Sequence, residues 1–594
     1  MKIAALVKQV PKFEEMQLGA DGRLVRDGLE LELNPYCRRA VSKGVELAAA
    51  TGGTCTIITL GPPAAEDVLR EAIAWGADRG VLVTDRLFAG SDTLATARAL
   101  AAVLEREGPF DLVLAGRNSV DADTGQVGPE VAELLDLPFV TGVKRLDLGE
   151  GQLKVLCEED DGHSERVVQL PAVVSTAERL IEPAKVDPDG RAAVDAGRIT
   201  TVSAADLGPG PWGQDGSGTY VGEVRLLDIE RAHVMLDGPV DEQVDEAVRL
   251  LVERGALDMR RTGLALEVPS ARGVRGEAIA VVVEADRENL TRELLAAGAS
   301  IAREIGGHVI AFAAPPDAHV GWLAGAGADA LVVLDGAEVE EDVAAALASW
   351  AAKADPWAVL LPSTAWGREV AGRAAARLGA GLTGDAVGLE MSESVSTGEV
   401  QLLAWKPAFG GRLVAAIYAS SPIQMVTVRA GVLPRPAPRS SVPPIGSSII
   451  TTKPRGRVRI TSSSRDDDVD LLATAQRVVC VGAGVPPEDY ADVQPLLDVL
   501  DAELAATRKV TDKGWQPRAR QVGITGRSIA PRLYVAIGLS GKFNHSVGVR
   551  AAGTILAINS ERGAPIWDHA DIGIVGEWRD IVPRLTARLR EQRQ

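Results

Sequence analysis

Short, uninterrupted apolar runs alternate with longer amphipathic stretches along much of this chain. In the first third, apolar runs occupy 52–61, 75–85 and 110–116, and the stretches between them have the periodicity of helices. The runs are rich in β-branched residues and do not alternate with polar ones, as is typical of strands covered on both faces. The pattern therefore predicts strand–helix–strand units that build a parallel sheet.

The same succession of elements occurs twice. A second round begins at Gly306, with a Gly-Ala-Asp turn before its second apolar run as in the first round. The two rounds also open on similar apolar segments, at 3–10 and 278–285. A repeat of this length predicts two related doubly wound domains. The apolar runs of the second round are 306–315, 326–336 and 356–364.

A third α/β unit follows near the C-terminus, with predicted strands at 477–485, 532–541, 554–560 and 571–576. The fold class is therefore α/β, with three doubly wound parallel-sheet domains. The segment 434–468 is rich in Pro, Ser and Arg and predicts a hinge with one short strand at RVRIT. A Gly- and Pro-rich loop and an amphipathic helix, DEQVDEAVRLLVERGAL, are predicted within 203–275, where so long an excursion suggests a function.

Composition excludes several classes of function. The 594 residues carry a formal net charge of −19, which argues against nucleic-acid binding because phosphates require Lys and Arg. The four cysteines lie far apart, so no metal site is predicted and the thiols are expected to be buried in a reducing compartment. No leader and no apolar run of membrane-spanning length is apparent, so we expect a cytoplasmic protein without direct membrane insertion.

The strongest candidate for chemistry is the segment 508–548, which has two Gly-rich turns among polar side chains. The second turn, GLSG, directly follows a predicted strand and would expose backbone amides suited to a pyrophosphate. From the residues alone, two ordinary surface turns explain the segment equally well.

A family resemblance favours the first of these interpretations. QVGITGRSIAPRLYVAIGLSGKFNH and ILAINSERGAPIWDHADIGIVGE resemble the FAD domain of the electron-transfer flavoprotein α subunit. VKQVP, LNPY, GADRG and DADTGQVGPEVAELL resemble its β subunit, and VTVRAGVLPR resembles the end of the α subunit's first domain. The resemblance covers nearly the whole chain, in the order of a fused β and α subunit.

The resemblance implies four segments and a carrier function. They are a β-like part with recognition loop and C-terminal arm (1–262), a linker (263–275), an α-like N-terminal domain (276–465) and an FAD-binding domain (466–594). The FAD-binding domain would swivel on the other two through the Pro-rich hinge. The chain would carry electrons rather than transform a substrate, from a flavin-dependent dehydrogenase of the acyl-CoA type, as in fatty acid oxidation, to a membrane-associated quinone oxidoreductase.

The resemblance also assigns the residues that hold FAD. Arg508 and Thr507 would lie by the flavin ring, His545 by its C2 carbonyl and Thr525 by N5. The loop Val522, Gly523, Ile524 and Thr525 would follow the ring and ribityl chain, Ser540, Gly541, Lys542, Phe543 and Asn544 the ribityl and pyrophosphate, and Asn559, Glu577 and Trp578 the adenosine. Phe13 of the β-like part would cover the ring.

Two departures from the family pattern concern the flavin. Ile524 stands where Gln is usual, and Ala483 stands where the turn usually has an arginine. Loss of a cation beside the flavin is expected to lower its reduction potential. Arg527 for Lys, Asn544 for Gln and Glu577 for Asp are milder changes.

The β-like part is expected to hold a second nucleotide, AMP in simple members of the family or a second FAD in those that bifurcate electrons. The corresponding positions are Leu6, Asn34, Pro35, Tyr36, Cys37, Gly116, Asp121, Asp123 and Thr124. The short form of DADTGQVG is that of the bifurcating type and slightly favours FAD, with AMP nearly as well supported. The basic Arg38-Arg39 after LNPY would favour an anionic ligand.

Leu207 lies in a DLG turn that matches the family's recognition loop, where a leucine enters a pocket of the partner dehydrogenase. An exposed apolar anchor in a mobile loop suits transient docking; a plain connector is the alternative. Two other classes of function stay open: an NADH-oxidising bifurcating flavoprotein and a nucleotide-binding sensor of the universal-stress type.

Overall fold

The computed structural model describes residues 1–12, 29–226, 230–258, 267–270, 276–315, 319–393, 398–408, 413–442, 444–465, 471–472, 475–523 and 526–592. Three parallel-dominated sheets organise these residues, with helices packed on their faces. The N-terminal sheet has ten strands, in the spatial order Ile199–Val202, Arg79–Val83, Thr54–Leu60, Lys2–Val7, Leu112–Gly116, Ala172–Thr176, Phe139–Leu148, Gln152–Glu158, Gly162–Gln169 and Val458–Arg465.

The central sheet repeats the first seven positions of that order. Its strands are Gly446–Thr451, Ala330–Asp335, His308–Ala313, Ala278–Val282, Ala358–Pro362, Gln424–Val428 and Gly381–Ala386. The internal repeat predicted from the sequence is therefore a repeat of topology. The paired strands have continuous buried runs because helices cover both faces of each sheet.

The C-terminal sheet has six strands, in the order Val234–Leu236, Ile572–Val575, Thr554–Asn559, Leu533–Ile537, Arg477–Val481 and Glu503–Ala506. Two smaller antiparallel sheets consist of Thr219–Leu226, Leu413–Ala419, Val400–Ala408 and Gly388–Glu393, and of Gln9–Pro11 with Leu31–Leu33. The expectation of an α/β fold with three doubly wound domains is confirmed.

Many of the helices in the described residues connect parallel strands of one sheet. The helices of these residues are Cys37–Thr51, Glu66–Trp75, Thr93–Glu107, Val127–Leu134, Pro188–Ala192, Ala204–Leu207, Val240–Glu253, Glu288–Ile305, Val320–Ala326, Glu340–Ala354, Ala365–Leu378, Tyr490–Leu500, Arg508–Asp512, Phe543–Ser546 and Trp578–Gln592. Within the described ranges, none of them has the length and apolar character needed to cross a membrane.

The Gly-Ala-Asp turns have the same role in both repeats. Gly76 and Gly327 end their helices with φ of 133° and 136°, a backbone conformation that favours glycine. Two residues later, the Asp78 carboxylate accepts the Cys55 N–H at 2.7 Å, and the Asp329 carboxylate accepts the Val309 N–H at 2.9 Å. Each aspartate thereby fixes the start of its strand against the neighbouring one.

The two halves of the chain exchange strands. Thr219–Leu226 pairs with Leu413–Ala419, and Val234–Leu236 pairs with Ile572–Ile574 in the C-terminal sheet. Helix Val240–Glu253 then packs its apolar face into the core of the C-terminal domain. The predicted helix in 203–275 is confirmed, but the prediction of a loop before it missed both strands.

The Pro-rich segment also differs from its prediction. Instead of a hinge with one short strand, its described part supplies an edge strand to each of two sheets: Gly446–Thr451 to the central sheet and Val458–Arg465 to the N-terminal sheet. Hydrogen-bonded ladders therefore anchor most of 444–465. Residues 466–470 lie outside the described residues.

Candidate functional site

The carboxyl ends of the C-terminal sheet bring two Gly-rich turns together. Strands Arg477–Val481 and Leu533–Ile537 are neighbours, and the chain continues from them toward opposite edges of the sheet. Such a switch point leaves a crevice in which open α/β sheets bind their ligands. The turn from Gly482 and the turn from Gly538 face each other there, with Gly484 N–H donating to Gly538 O at 3.1 Å.

These turns form a cradle that only glycine permits. A Cβ at Gly482 would lie 2.2 Å from Gly538 O, and a Cβ at Gly541 would lie 2.4 Å from the Ile566 Cα. Gly538 and Gly541 also have φ of 60° and 67°. Such close approach of backbone to backbone requires glycine, and the predicted residues Ser540, Gly541 and Lys542 belong to the second of these turns.

His545 is enclosed by protein groups on both sides of its ring. Its Nδ1 lies 3.1 Å from Val522 O and its Nε2 2.7 Å from Tyr534 Oη. Burial lowers the pKa of His545 to about 4, so the imidazole is neutral near pH 7. In a neutral ring whose Nδ1–H donates to the carbonyl, Nε2 accepts the hydroxyl of Tyr534. In this arrangement His545 fixes the turn at Val522.

Two further segments lie at the same edge of the sheet. Thr507 follows strand Glu503–Ala506, and its N–H donates to Val481 O at 3.1 Å. Arg508, exposed at the start of the next helix, pairs with Asp512 at 3.2 Å. The Val522 N–H donates to Ala506 O at 3.0 Å, so the predicted ring-lining segments are bonded to each other.

The predicted adenosine residues lie at the ends of the two strands beyond the cradle. Asn559 donates to Leu539 O at 2.8 Å, which ties two strand ends together. Glu577 is exposed, whereas Trp578 is buried and its indole N–H donates to Gly484 O at 3.1 Å. The Trp578 side chain therefore supports the glycine turn from beneath.

Several of the residues predicted to contact FAD are wholly or partly outside the described part of the structure. Phe13, Ile524 and Thr525 lie outside the described residues, as do the side chains of Phe543 and Asn544, whose backbone opens a short helix. The neighbouring Gly523 has φ of 133° and donates to Arg527 O at 3.0 Å.

A second cavity, of 430 Å³, opens at the carboxyl end of the N-terminal sheet. It lies at that sheet's switch point, between Lys2–Val7 and Leu112–Gly116. Five residues predicted for the second nucleotide line it together: Leu6, Asn34, Cys37, Gly116 and Thr124. A Cβ at Gly116 would lie 2.8 Å from the Cys37 N, so this strand also ends on a required glycine.

Two helices begin at this cavity, and backbone amides at a helix start can bind an anionic group. Thr93 opens one helix, capped by Asp92, and Val127 opens the other. The Thr93 hydroxyl lies 3.0 Å from both Gln126 Oε1 and Glu130 Oε1. Burial raises the pKa of Glu130 to about 8, which keeps this carboxyl protonated near pH 7 and removes a negative charge. Sequence analysis missed Thr93, although an Asp before an apolar helix is a capping signal.

Four other predicted residues lie beside the cavity rather than on its wall. Tyr36 and Asp123 line a separate cavity of 210 Å³ where the three domains meet. Asp121 pairs with Lys8 at 2.6 Å, and Lys8 in turn lines the 430 Å³ cavity. Pro35 lines a third cavity.

Arg38 and Arg39 also line that third cavity, so the expectation that they favour an anion in the nucleotide site is wrong. Arg38 pairs with Glu71 and with Glu32, and Arg39 donates to the carbonyls of Pro35 and Glu178. Carboxylates and carbonyls thus hold both guanidinium groups away from the nucleotide cavity.

Comparison with known proteins assigns both parts of the chain to one family. Residues 21–207 and 279–445 match the electron transfer flavoprotein domain, and residues 471–550 match the electron transfer flavoprotein FAD-binding domain. The chain belongs to the electron transfer flavoprotein family. The β-like and α-like parts are therefore fused in one chain.

Curated relatives of this family match the two parts separately. The β subunit from Thermoanaerobacterium thermosaccharolyticum is 36% identical over 258 residues, 43% of this chain and 97% of the relative. The α subunit from the same organism is 36% identical over 281 residues, 45% of this chain and 82% of the relative. The caffeyl-CoA reductase-Etf complex subunit CarD from Acetobacterium woodii is 35% identical over 213 residues, 36% of this chain and 81% of the relative.

The segment that resembles the family's recognition loop is ordered around a tryptophan. Leu207 ends a four-residue helix and is only partly exposed, because it packs against the apolar core that contains Phe88. Trp212 meets Phe88 edge-on at 5.9 Å and donates to Gly208 O at 3.1 Å. The nearby Leu87 is 63% exposed, so it presents more apolar surface than the loop leucine.

Proposed function

We propose that this protein is an electron carrier that holds FAD in its C-terminal domain. It accepts electrons from a flavin-dependent dehydrogenase of the acyl-CoA type and passes them to a quinone oxidoreductase at a membrane. The observation that carries the proposal is the glycine cradle of Gly482, Gly538 and Gly541, at the switch point of a domain of the FAD-binding family. We keep the four segments 1–262, 263–275, 276–465 and 466–594 as its working division.

Bound FAD would supply reversible one- and two-electron chemistry, with negative charge at its N1–C2 edge when reduced. The protein's own residues bind and tune it. Arg508 provides a cation near the ring segments, and Thr507 and the 522–525 loop shape the pocket. His545, neutral and bonded on both nitrogens, holds the loop. An electron carrier needs no acid, base or nucleophile.

Purification tests this proposal directly. We expect a yellow protein whose denaturation releases FAD, with the flavin reduced by an acyl-CoA dehydrogenase and its substrate. A colourless protein that binds no added FAD would contradict an electron carrier and would favour the nucleotide-binding sensor.

For the 430 Å³ cavity we propose a second nucleotide, with FAD slightly preferred over AMP. The two helix starts and the protonated Glu130 support an anionic ligand of either kind. Quantifying the flavin and AMP released per chain separates two FAD from one FAD and one AMP.

Bifurcation is the second candidate function, favoured by the similarity to CarD, a subunit of a caffeyl-CoA reductase-Etf complex. Loss of flavin absorbance on mixing with NADH would support it, and an unchanged spectrum would contradict it.

A further inference from the structure

Two adjacent residues of the N-terminal half form ion pairs with the C-terminal domain beside its predicted flavin segments. Glu178 and Arg179 follow strand Ala172–Thr176. The Glu178 carboxylate lies 3.2 Å from an Nη of Arg518, and an Nη of Arg179 lies 2.7 Å from the Asp512 carboxylate. One short stretch of the N-terminal half thus holds two separate segments of the C-terminal domain.

Those two segments form one unit. Helix Arg508–Asp512 and the turn from Arg518 are joined by the Thr511 hydroxyl, which donates to Gln521 Oε1 at 2.7 Å. Gln521 is fully buried and Thr511 nearly so. A displacement of either segment must therefore displace the other, and with them Arg508 and the loop that begins at Val522.

The two ion pairs differ in how far their side chains are buried. The Glu178 side chain is 6% exposed, and Arg518 also pairs with the buried Glu158 at 3.4 Å. Loss of a partner in a buried pair leaves an uncompensated charge and is costly. The side chains of Arg179 and Asp512 are 40% and 43% exposed, so their pair is weaker and sensitive to salt.

We propose that Glu178 and Arg179 are positioning residues through which the N-terminal half sets the geometry of the flavin-binding segments. Neither residue has to touch the flavin. Contact between the halves then determines how long FAD stays bound in the C-terminal domain. The inference rests on the proposed FAD site and adds that Glu178 and Arg179, apart from the predicted contact of Phe13, set the geometry of that site.

The test compares Glu178→Gln with Arg179→Gln in the full-length holoprotein. The two substitutions change the net charge in opposite directions. A purely electrostatic effect on an anionic cofactor would change FAD dissociation in opposite directions, whereas loss of positioning accelerates it in both. The matched controls are Asp245→Asn and Arg588→Gln, which break an exposed pair between the same two halves, 2.6 Å apart and away from the cradle.

FAD dissociation is followed by the return of free-flavin fluorescence after dilution. We expect both variants to release FAD about threefold to tenfold faster than wild type. The controls should match wild type, and Arg179→Lys should recover most of the loss. Opposite effects of the two variants, or rates equal to those of the controls, would overturn the inference.

If Glu178→Gln does not fold, the test rests on Arg179→Gln, which changes an exposed residue, and on the recovery of slow FAD release in Arg179→Lys. A wild-type protein that never binds FAD would instead refute the proposed function, so the two failures are distinguishable.

Discussion

Ala483 is exposed in the turn between Gly482 and Gly484, at a position where the family resemblance leads us to expect an arginine. A cation restored there would stabilise the negative charge of a reduced flavin. We expect Ala483→Arg to raise the midpoint potential of the bound flavin by tens of millivolts, measured by redox titration. Ala483→Gln is the uncharged control, and an arginine variant with an unchanged or lower potential would contradict the idea.

His545 gives a pH prediction. Its folded pKa, lowered to about 4 by burial, lies below the usual value of 6.5. Between pH 4 and 6.5 this imidazole is protonated in the unfolded chain but not in the folded domain. Its contribution to stability is therefore fully present above pH 6.5 and is lost as the pH falls toward 4. The loss amounts to about 3 kcal/mol.

We expect His545→Gln to flatten this pH dependence in urea unfolding followed by near-UV circular dichroism. The variant should be less stable than wild type at pH 7 and should approach it near pH 4. A variant as steeply pH-dependent as wild type would place the titration elsewhere.

Single residues also mark the limit of what the sequence could predict about the site. The glycines follow predicted strands, so their gathering at one edge follows from parallel topology, whereas the strand before Thr507, Glu503–Ala506, was not predicted. The partners of His545 and Trp578 did not follow, because a ring nitrogen bonded to a carbonyl 23 residues away depends on three-dimensional packing. The prediction for Arg38 and Arg39 was wrong for the same reason, because a basic pair in the sequence does not show where its guanidinium groups lie.

At the scale of elements, a buried aspartate joins the segment 230–258 of the N-terminal half, which we call the arm, to the C-terminal sheet. Asp571 is fully buried and accepts the Ile555 N–H at 2.8 Å, like Asp78 and Asp329 in the two repeats. It also pairs with Arg231 at 2.9 Å and with Arg254 at 2.8 Å, both from the arm. One carboxylate thus starts a strand and neutralises two arginines.

We expect Asp571→Asn to cost about 3–5 kcal/mol of unfolding free energy, because two arginines lose their buried partner. Urea unfolding measures the loss. Asp78→Asn, which removes the same strand contact on a more exposed aspartate, is the control and should cost less. Equal losses would mean that the arm arginines contribute nothing.

Strand and helix order could be predicted because each parallel unit carries its own periodicity. The exchanged strands Thr219–Leu226 and Val234–Leu236 could not be predicted. Their partner strands lie about 190 and more than 300 residues away, and nothing local distinguishes such a strand from a loop. The antiparallel strands between 139 and 169 were missed as well, although their alternation of buried and exposed positions is typical of a half-buried strand.

At the scale of the whole molecule, docking surfaces can be compared. We expect Leu207→Ala to slow electron transfer from the dehydrogenase without changing the flavin spectrum, as for an apolar anchor. Since Leu207 is partly buried, Leu87→Ala tests the exposed neighbour without loss of packing. Stopped-flow reduction at varied dehydrogenase concentration measures both, and thermal unfolding controls for packing. Wild-type rates in both variants would exclude this surface.

The exchanged strands also predict that the covalent link is dispensable once folding is complete. We expect a protease site inserted within 271–275 to allow cleavage without separation of the halves. The fragments should elute together in gel filtration and retain FAD, because three strand pairings and the Asp571 contacts stay intact. Separation of the fragments on cleavage would contradict this.

The same exchange bears on how the protein is made. The segment 219–253 leaves the ribosome long before its partner strands, of which the last, Ile572–Val575, is more than 300 residues downstream. At about 5–20 residues per second, the arm waits on the order of tens of seconds with its apolar helix face uncovered. The N-terminal sheet likewise lacks its edge strand Val458–Arg465 for the first two thirds or so of that interval. Nascent chains are therefore most exposed to aggregation and to chaperones after the N-terminal half is complete, and slower translation of the second half lengthens that exposure.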